Sequence, residues 1–245
     1  MKNSCIKIKN TKIGIGQRPF VIAELSGNHN QSLERAKQLV EAAAKSGAHA
    51  VKLQTYTADT MTIKGALKIE DPNSLWYGKE LHDLYKEAYT PWEWHKDLFK
   101  LAQSLGMIAF SSPFDASSVD FLESLSVPLY KIASFENTDI PLLKKIAATK
   151  KPVIMSTGGA TLQQVSEAVT TLKTNGCKDL VLLKCTSSYP ASPKSTNLLA
   201  MQTLQKVFNV PVGLSDHTMG IGVPIASVGL GACVIEKHFT LKRSD

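Results

Sequence analysis

Eight short, almost wholly apolar runs alternate with amphipathic segments along the 245 residues, and this alternation constrains the fold more than any other feature. The runs are FVIAE (20–24), AVKLQ (50–54), MIAFS (107–111), LYKIA (129–133), VIMS (153–156), LVLLKC (180–185), VPVGLS (210–215) and CVIE (233–236). Strands apolar at nearly every position are covered on both faces, as in a parallel sheet wrapped by helices. The intervening segments have helical periodicity. In SLERAKQLVEAAAKSG, Leu33, Ala36, Val40 and Ala43 fall on one face and Gly47 supplies a stop. LLKKIAATKK, TLQQVSEAVTTLKTNG and NLLAMQTLQKVF follow the same pattern. Eight strands with helices between them predict a single α/β domain over 1–245, a (β/α)8 TIM barrel. An open doubly wound sheet is the competing arrangement, but no glycine-rich phosphate loop follows any run.

The chain departs from a minimal barrel in three places. Residues 56–92 form a long insertion between the second strand and its helix, with Trp76, Tyr77, Tyr85 and Tyr89 inside it and Trp92 and Trp94 at its end. A loop this long is functional or disordered, and its aromatics favour an ordered lid over the active face. Within 1–18, IKIKNTKIGIG reads as a hairpin plugging the barrel bottom. After the eighth run only FTLKRSD remains, so the barrel is expected to be truncated, without its final helix. The outward face of the last strand, with Cys233 and Ile235, would then be bare.

Composition serves mainly to exclude. No run approaches the ~18 apolar residues of a membrane span, and the N-terminus, MKNSCIKIKN, has no signal-peptide core. The four cysteines form no C-x-x-C pair, which fits reduced thiols in a cytoplasmic protein. The net charge is +7, but the basic residues are scattered, so nucleic acid is not an expected partner. Small anionic substrates, phosphates or carboxylates, account for the balance equally well, as does ordinary solubility.

Active sites of such barrels gather at the C-terminal strand ends. Here those ends read AELSGNH, KLQTY, SSPF, KIASFE, STGG, KCTSSYP, SDHT and EKHFT, each apolar run finishing in polar residues. Residues two apart on a strand share a face. Lys52 therefore goes with Gln54, Ser215 with His217, and Glu236 with His238. The last two strands are neighbours, and adjacent strands lie ~4.8 Å apart. His217 and His238 are thus expected to converge as half of a metal site completed by water and substrate oxygens; a hydrogen-bonded polar role is the alternative for each. Lys52, Lys131 and Lys184, with Ser112, Ser134, Ser156 and Ser215, suit a bound phosphate or carboxylate. Glu24 and Glu136 are acid–base candidates, with ion pairing to a lysine as the alternative.

In order, AELSGNHNQSLERA, AVKLQTY, SSPFD, YKIASFE, STGGA, CTSSYP, GLSDHT and EKHFT resemble the sialic acid synthase family, the phosphoenolpyruvate-condensing enzymes that make nonulosonic acids. KLQTYTADT, LYKEAYTPWEWH and KCTSSYPA resemble most its pseudaminic acid branch. The resemblance implies Mn2+ or Mg2+ on His217 and His238. It implies phosphoenolpyruvate on Ser112, Lys131, Ser134, Ser156 and Ser215, with Glu24, Lys52, Gln54, Glu136 and Tyr189 lining the site and Asn73 entering from the lid. Ser187 stands where the N-acetylneuraminate enzymes carry asparagine, which disfavours that product. The family also carries an eighth helix and a C-terminal antifreeze-like domain reaching into a partner subunit, which implies a homodimer for the full-length protein.

The implied reaction joins phosphoenolpyruvate to an open-chain acetamido or diacetamido hexose, with loss of phosphate. Two other readings stand beside it. One is a Schiff-base aldolase using Lys131 or Lys184; the other is a non-catalytic sugar-phosphate-binding barrel.

Overall fold

The computed structural model describes residues 5–72, 74 and 76–243. Eight parallel strands close into a barrel: β3 (Phe20–Glu24), β4 (Ala50–Thr55), β5 (Ile108–Pro113), β6 (Tyr130–Ile132), β7 (Val153–Ser156), β8 (Leu180–Cys185), β9 (Val212–Asp216) and β10 (Val234–His238). Closure comes from β10, which pairs with β9 on one side and β3 on the other. Each of the eight runs read from the sequence becomes one of these strands, with ends shifted by up to two residues.

Helices pack outside: α1 (Leu33–Lys45), α4 (Trp92–Ser104), α5 (Ala116–Ser124), α6 (Ile140–Ala148), α7 (Leu162–Thr174), α8 (Ala200–Phe208) and α9 (Gly222–Gly229). Local chemistry sets their ends. Ser32 caps α1 by accepting from Arg35 N, Asp115 caps α5 by accepting from Ser117 N and Ser118 N, and Thr161 and Gln164 form a capping box on α7. On α1 the buried residues Ala36, Leu39, Val40 and Ala43 face the strands at helical spacing.

The barrel interior has two storeys. Below, Phe20, Ile22, Ala50, Ile108, Phe110, Leu129, Ile154, Val181, Leu183 and Val234 form an apolar plug. The hairpin of β1 (Cys5–Ile8) and β2 (Thr11–Gly14) closes it from beneath with Ile6, Ile8 and Ile13. Two residues further along the same strands the side chains turn polar: Glu24, Lys52, Ser112, Lys131, Ser156, Ser215 and Glu236. Between the storeys, Gly213 lets β9 approach β10, because a Cβ there would lie 2.3 Å from Val234 O and 2.8 Å from Leu183 Cδ2.

The described part of the insertion after β4 carries two helices, α2 (Ala58–Met61) and α3 (Leu81–Ala88), with a bridge pairing Lys68 and Glu80 between them. Trp92 and Trp94 belong to the first turn of α4 and pin the root of this lid. Trp92 Nε1 donates to Tyr56 O and the ring stacks on Phe121, while Trp94 lies edge-on to His29. The β3–α1 loop grips the other stem. His29 Nδ1 accepts from Gln31 N, so its Nε2–H donates to Thr90 Oγ1 at 3.1 Å, and Gln31 Nε2 donates to Glu87 O and Tyr89 O. Gly27 has no room for a side chain here, since a Cβ would meet Ala88 O at 2.9 Å.

No helix follows β10 among the described residues. On the outward faces there, Val21 is 36% exposed and Ile235 half-buried. Cys233 departs from expectation. It is buried, donates its thiol to Val212 O at 3.0 Å, and packs with the barrel-bottom cluster beside the hairpin. Among the described residues no helix is long and apolar enough to cross a membrane.

Candidate active site

The strand ends enclose a cavity of about 250 Å³ above the apolar plug. Its floor is a buried charge cluster centred on Glu236. Glu236 Oε1 accepts from Ser215 Oγ at 3.0 Å and lies 3.7 Å from Lys131 Nζ, while its Oε2 lies 3.3 Å from Lys52 Nζ. Lys52 Nζ also approaches Glu24 Oε2 at 2.6 Å and donates to Ser112 Oγ. Lys131 Nζ donates to Ser156 Oγ at 2.7 Å and to Ile132 O at 2.8 Å. Glu24 Oε2 and Glu236 Oε2 meet the lysines as charges, without hydrogen-bond alignment. Burial works against the Glu236 carboxylate, but Lys131 and Lys52 outweigh it and hold its pKa down at about 2. Burial lowers Lys52 to about 8, because the Glu236 carboxylate only partly offsets desolvation and the nearby Lys131 charge.

Against Ser134 and Cys185 on the cavity wall lies a hydroxyl cradle. Gly158 N donates to Ser134 Oγ at 3.1 Å, and Ser187 Oγ lies 3.8 Å from Cys185 Sγ. A Cβ on Gly158 would fall 2.3 Å from Ser187 Oγ, 2.8 Å from Ser134 Oγ and 3.2 Å from Cys185 Sγ, so only glycine leaves this cradle open. Glu136 is half-buried, its Oε2 accepts no hydrogen bond, and burial raises its carboxyl pKa.

At the rim, His217 and His238 converge with ring centroids 5.4 Å apart, and Tyr189 packs on His217 at 4.1 Å. His217 Nδ1 lies 2.9 Å from Thr186 O, so it carries the proton and leaves Nε2 as the free lone pair. Burial opposes charge on His217, but the Cys185 thiol and the Thr186 carbonyl prevail and raise its pKa. Cys185 is held down to about 7: burial opposes its thiolate, and hydrogen bonds from His217 and Ser134 overcome burial. Burial on the cavity side, together with the charge of His217 and Lys52, lowers the pKa of His238. Among the described residues no three His, Cys, Asp or Glu side chains cluster as a metal-holding set. The two converging imidazoles, with Nε2 of His217 free, are a donor set that would leave most positions of a cation to water and substrate.

Glu24, Lys52, Gln54, Lys131, Ser134, Glu136, Ser156, Tyr189, Ser215, His217 and His238 all line the one cavity. Ser112 sits behind that wall, fully buried, as a partner of Lys52. Lys184 points out of the lumen. Its ammonium binds Cys185 O and Thr186 Oγ1, and it lines a separate groove against α7 and α8. Asn73 lies outside the described residues. The period of two set Glu236 on the face of His238 but gave it no role, and Cys185 and Gly158 were absent from the sequence-derived candidates. The same period would have found Cys185, which lies two before Ser187; no local signal marks Gly158.

The model of the NeuB family matches residues 39–245. The chain belongs to the NeuB family. This family member is 47% identical over 232 residues to the pseudaminic acid synthase of Helicobacter pylori, a match covering 93% of this chain and 67% of the relative. It is 49% identical over 230 residues to the N,N'-diacetyllegionaminic acid synthase of Legionella pneumophila, covering 92% of this chain and 65% of the relative. The chain thus spans about two thirds of the length of these curated relatives. Among solved structures, the N-acetylneuraminic acid (sialic acid) synthetase of Leptospira borgpetersenii, in complex with citrate, superposes with a TM-score of 0.90 at 33% identity. That match covers 99% of this NeuB-family chain and 80% of the other.

Proposed function

We propose that this barrel condenses phosphoenolpyruvate with an open-chain acetamido or diacetamido hexose, giving a nonulosonic acid and phosphate. The observation that carries the reading is one cavity holding two buried lysines among hydroxyls and carboxylates and, at its rim, a converging pair of imidazoles. Lys131, Ser156 and the cradle of Ser134, Ser187 and Gly158 would hold the phosphate and carboxylate. His217 and His238 would hold Mn2+ or Mg2+, and such an ion, when bound, supplies Lewis-acid polarisation of the aldehyde oxygen.

Carbon 3 of phosphoenolpyruvate attacks the aldehyde carbon, forming the new C–C bond. The aldehyde oxygen takes up a proton, and positive charge appears at carbon 2. Water adds there and loses its proton, and the C–O bond to phosphate breaks, leaving the ketone. Glu136 is the better-placed proton donor and acceptor, because its carboxyl pKa is raised and one oxygen is unengaged. Glu24 stands against Lys52 at 2.6 Å and would fix that ammonium at the cavity floor. Gln54 and Tyr189 line the cavity beside these groups and would orient the sugar hydroxyls.

The test is mass analysis of products from phosphoenolpyruvate, Mn2+ and a panel of acetamido and diacetamido hexoses. Phosphoenolpyruvate carrying heavy oxygen in the bridging position should deliver the label to inorganic phosphate. Label retained in the organic product would overturn the C–O cleavage. A Schiff-base reading gains support from the lowered pKa of Lys52, whereas Lys184 lies outside the lumen. Borohydride reduction with pyruvate, followed by peptide mapping, separates the two mechanisms.

A further inference from the structure

Between α7 and α8 lies a groove of about 500 Å³, against about 250 Å³ for the catalytic cavity, and the reaction assigned to the barrel makes no use of it. Cys185 lines both spaces, so the end of β8 forms the partition between them. Buried Val165 and Leu204 and exposed Leu162 and Leu199 give the groove its apolar surface, while Thr157, Asn197 and Thr203 share its walls. Lys184 supplies the one cationic side chain of the lining, and no aspartate or glutamate lines it.

That ammonium is unusual in this fold. Lys52 lies against Glu24, Lys131 against Glu236, Lys151 against Glu123 and Lys237 against Asp216. Among the described residues no carboxylate lies within ion-pair distance of Lys184; its ammonium donates to Cys185 O at 3.0 Å and to Thr186 Oγ1, both neutral. An ammonium carries three hydrogens, so one remains without an acceptor among the described residues. Lys184 is half-buried, and burial lowers its pKa with only the charge of Cys185 acting against it. A partly desolvated cation with neutral partners carries a cost that a bound anion would offset.

The groove's chemistry also limits the anion. At the start of α8, the amides of Ala200, Met201 and Gln202 already donate to Asn197 O, Leu198 O and Leu199 O. At the start of α7 the capping box occupies the amides of Thr161 and Gln164. One lysine with one spare hydrogen matches a singly charged carboxylate better than a phosphate dianion. We propose, independently of the reaction assigned to the barrel, that the α7–α8 groove binds an amphipathic monocarboxylate, its carboxylate on Lys184 and its hydrocarbon body along Val165, Leu204, Leu162 and Leu199.

Octanoate is the probe, titrated into the 245-residue chain and followed by NMR of its leucine and valine methyl groups, with octanol as the uncharged comparison. Octanoate should shift the Val165 and Leu204 methyls saturably and bind about tenfold or more tightly than octanol. Lys184→Met should erase that preference, and Lys184→Arg, which keeps the charge, should retain most of it. Thr203→Glu, at an exposed position of the lining, should weaken octanoate and spare octanol by setting a like charge in the groove. Lys131→Met alters the catalytic cavity alone and should leave octanoate binding unchanged. Equal affinity for octanoate and octanol would overturn the assignment, as would the absence of saturable shifts at Val165 and Leu204. So would octanoate binding that survives Lys184→Met and is lost in Lys131→Met, because the acid would then sit in the catalytic cavity.

Discussion

Gly158→Ala isolates the anion cradle from the fold. Gly158 has no positive φ, so alanine is conformationally permitted there, and replacing glycine stabilises slightly by restricting the unfolded chain. The added Cβ would sit 2.3 Å from Ser187 Oγ and 2.8 Å from Ser134 Oγ. To reach ordinary contact, Ser187 Oγ must retreat by roughly 1 Å and Ser134 Oγ by about half that. Both are ends of rotatable side chains, so the fold absorbs the change and the donors are lost. A hydrogen bond to a charged group is worth about 1.5–3 kcal/mol. Two displaced donors should weaken phosphoenolpyruvate binding by about 3–6 kcal/mol, or ~10²- to 10⁴-fold in Kd. Calorimetric titration with phosphoenolpyruvate, beside a thermal melt, reads both quantities. Adding Ser187→Gly should recover part of the loss by making room for the Cβ, a coupling that a double-mutant cycle quantifies. Wild-type affinity in Gly158→Ala, with an unchanged melting temperature, would refute the cradle as the anion site.

Four further outcomes are expected. His217→Ala and His238→Ala should each abolish Mn2+ binding, read by electron paramagnetic resonance, at a stability cost under about 0.5 kcal/mol for these rim positions; full Mn2+ affinity in either variant would remove the imidazole pair as the cation site. Lys131→Met should weaken phosphoenolpyruvate by about ten- to a hundredfold through loss of one charge-assisted contact, and unchanged calorimetric affinity would take Lys131 out of the anion site. Burial lowers buried His29 and His95 to about 4 each. Between pH 6.5 and 4 the unfolded chain therefore binds protons that the folded chain refuses, so stability falls as pH falls through that window, by up to roughly 3 kcal/mol per histidine. Urea melts across the window should show the slope and His95→Gln should reduce it, leaving the His29 share; a flat wild-type profile would contradict the burial argument. Gly213→Ala drives a Cβ against the Val234 carbonyl, which is backbone and cannot swing aside, so a loss of about 3 kcal/mol or more is expected in denaturant melts; a loss under about 1 kcal/mol would mean that β9 and β10 can part.

The alternation of apolar runs and amphipathic segments settled the architecture on its own, because parallel strands covered on both faces leave that signature at every element. The period of two likewise carried His217 and His238 to one point, since they end neighbouring strands. It also placed Lys52 with Gln54 in the cavity. What it left undecided is which face of a strand is the lumen and how high on the barrel a residue stands. Lys131 and Lys184 look alike in sequence, each near the end of an apolar run, yet one ammonium sits under the cavity and the other outside it against α7 and α8. Ser112 and Ser156 are equally similar, and only the second lines the cavity. The insertion read as a lid from its aromatics, but its two helices and the grip of Gly27, His29 and Gln31 on its stem depend on residues far apart in the chain. The same holds for the clustering of Glu236 with Lys52 and Lys131, and for the space that Gly158 leaves between Ser134 and Ser187. Periodicity reports neighbours along one strand, whereas depth, facing and free volume are set only when eight strands tilt and close on one another.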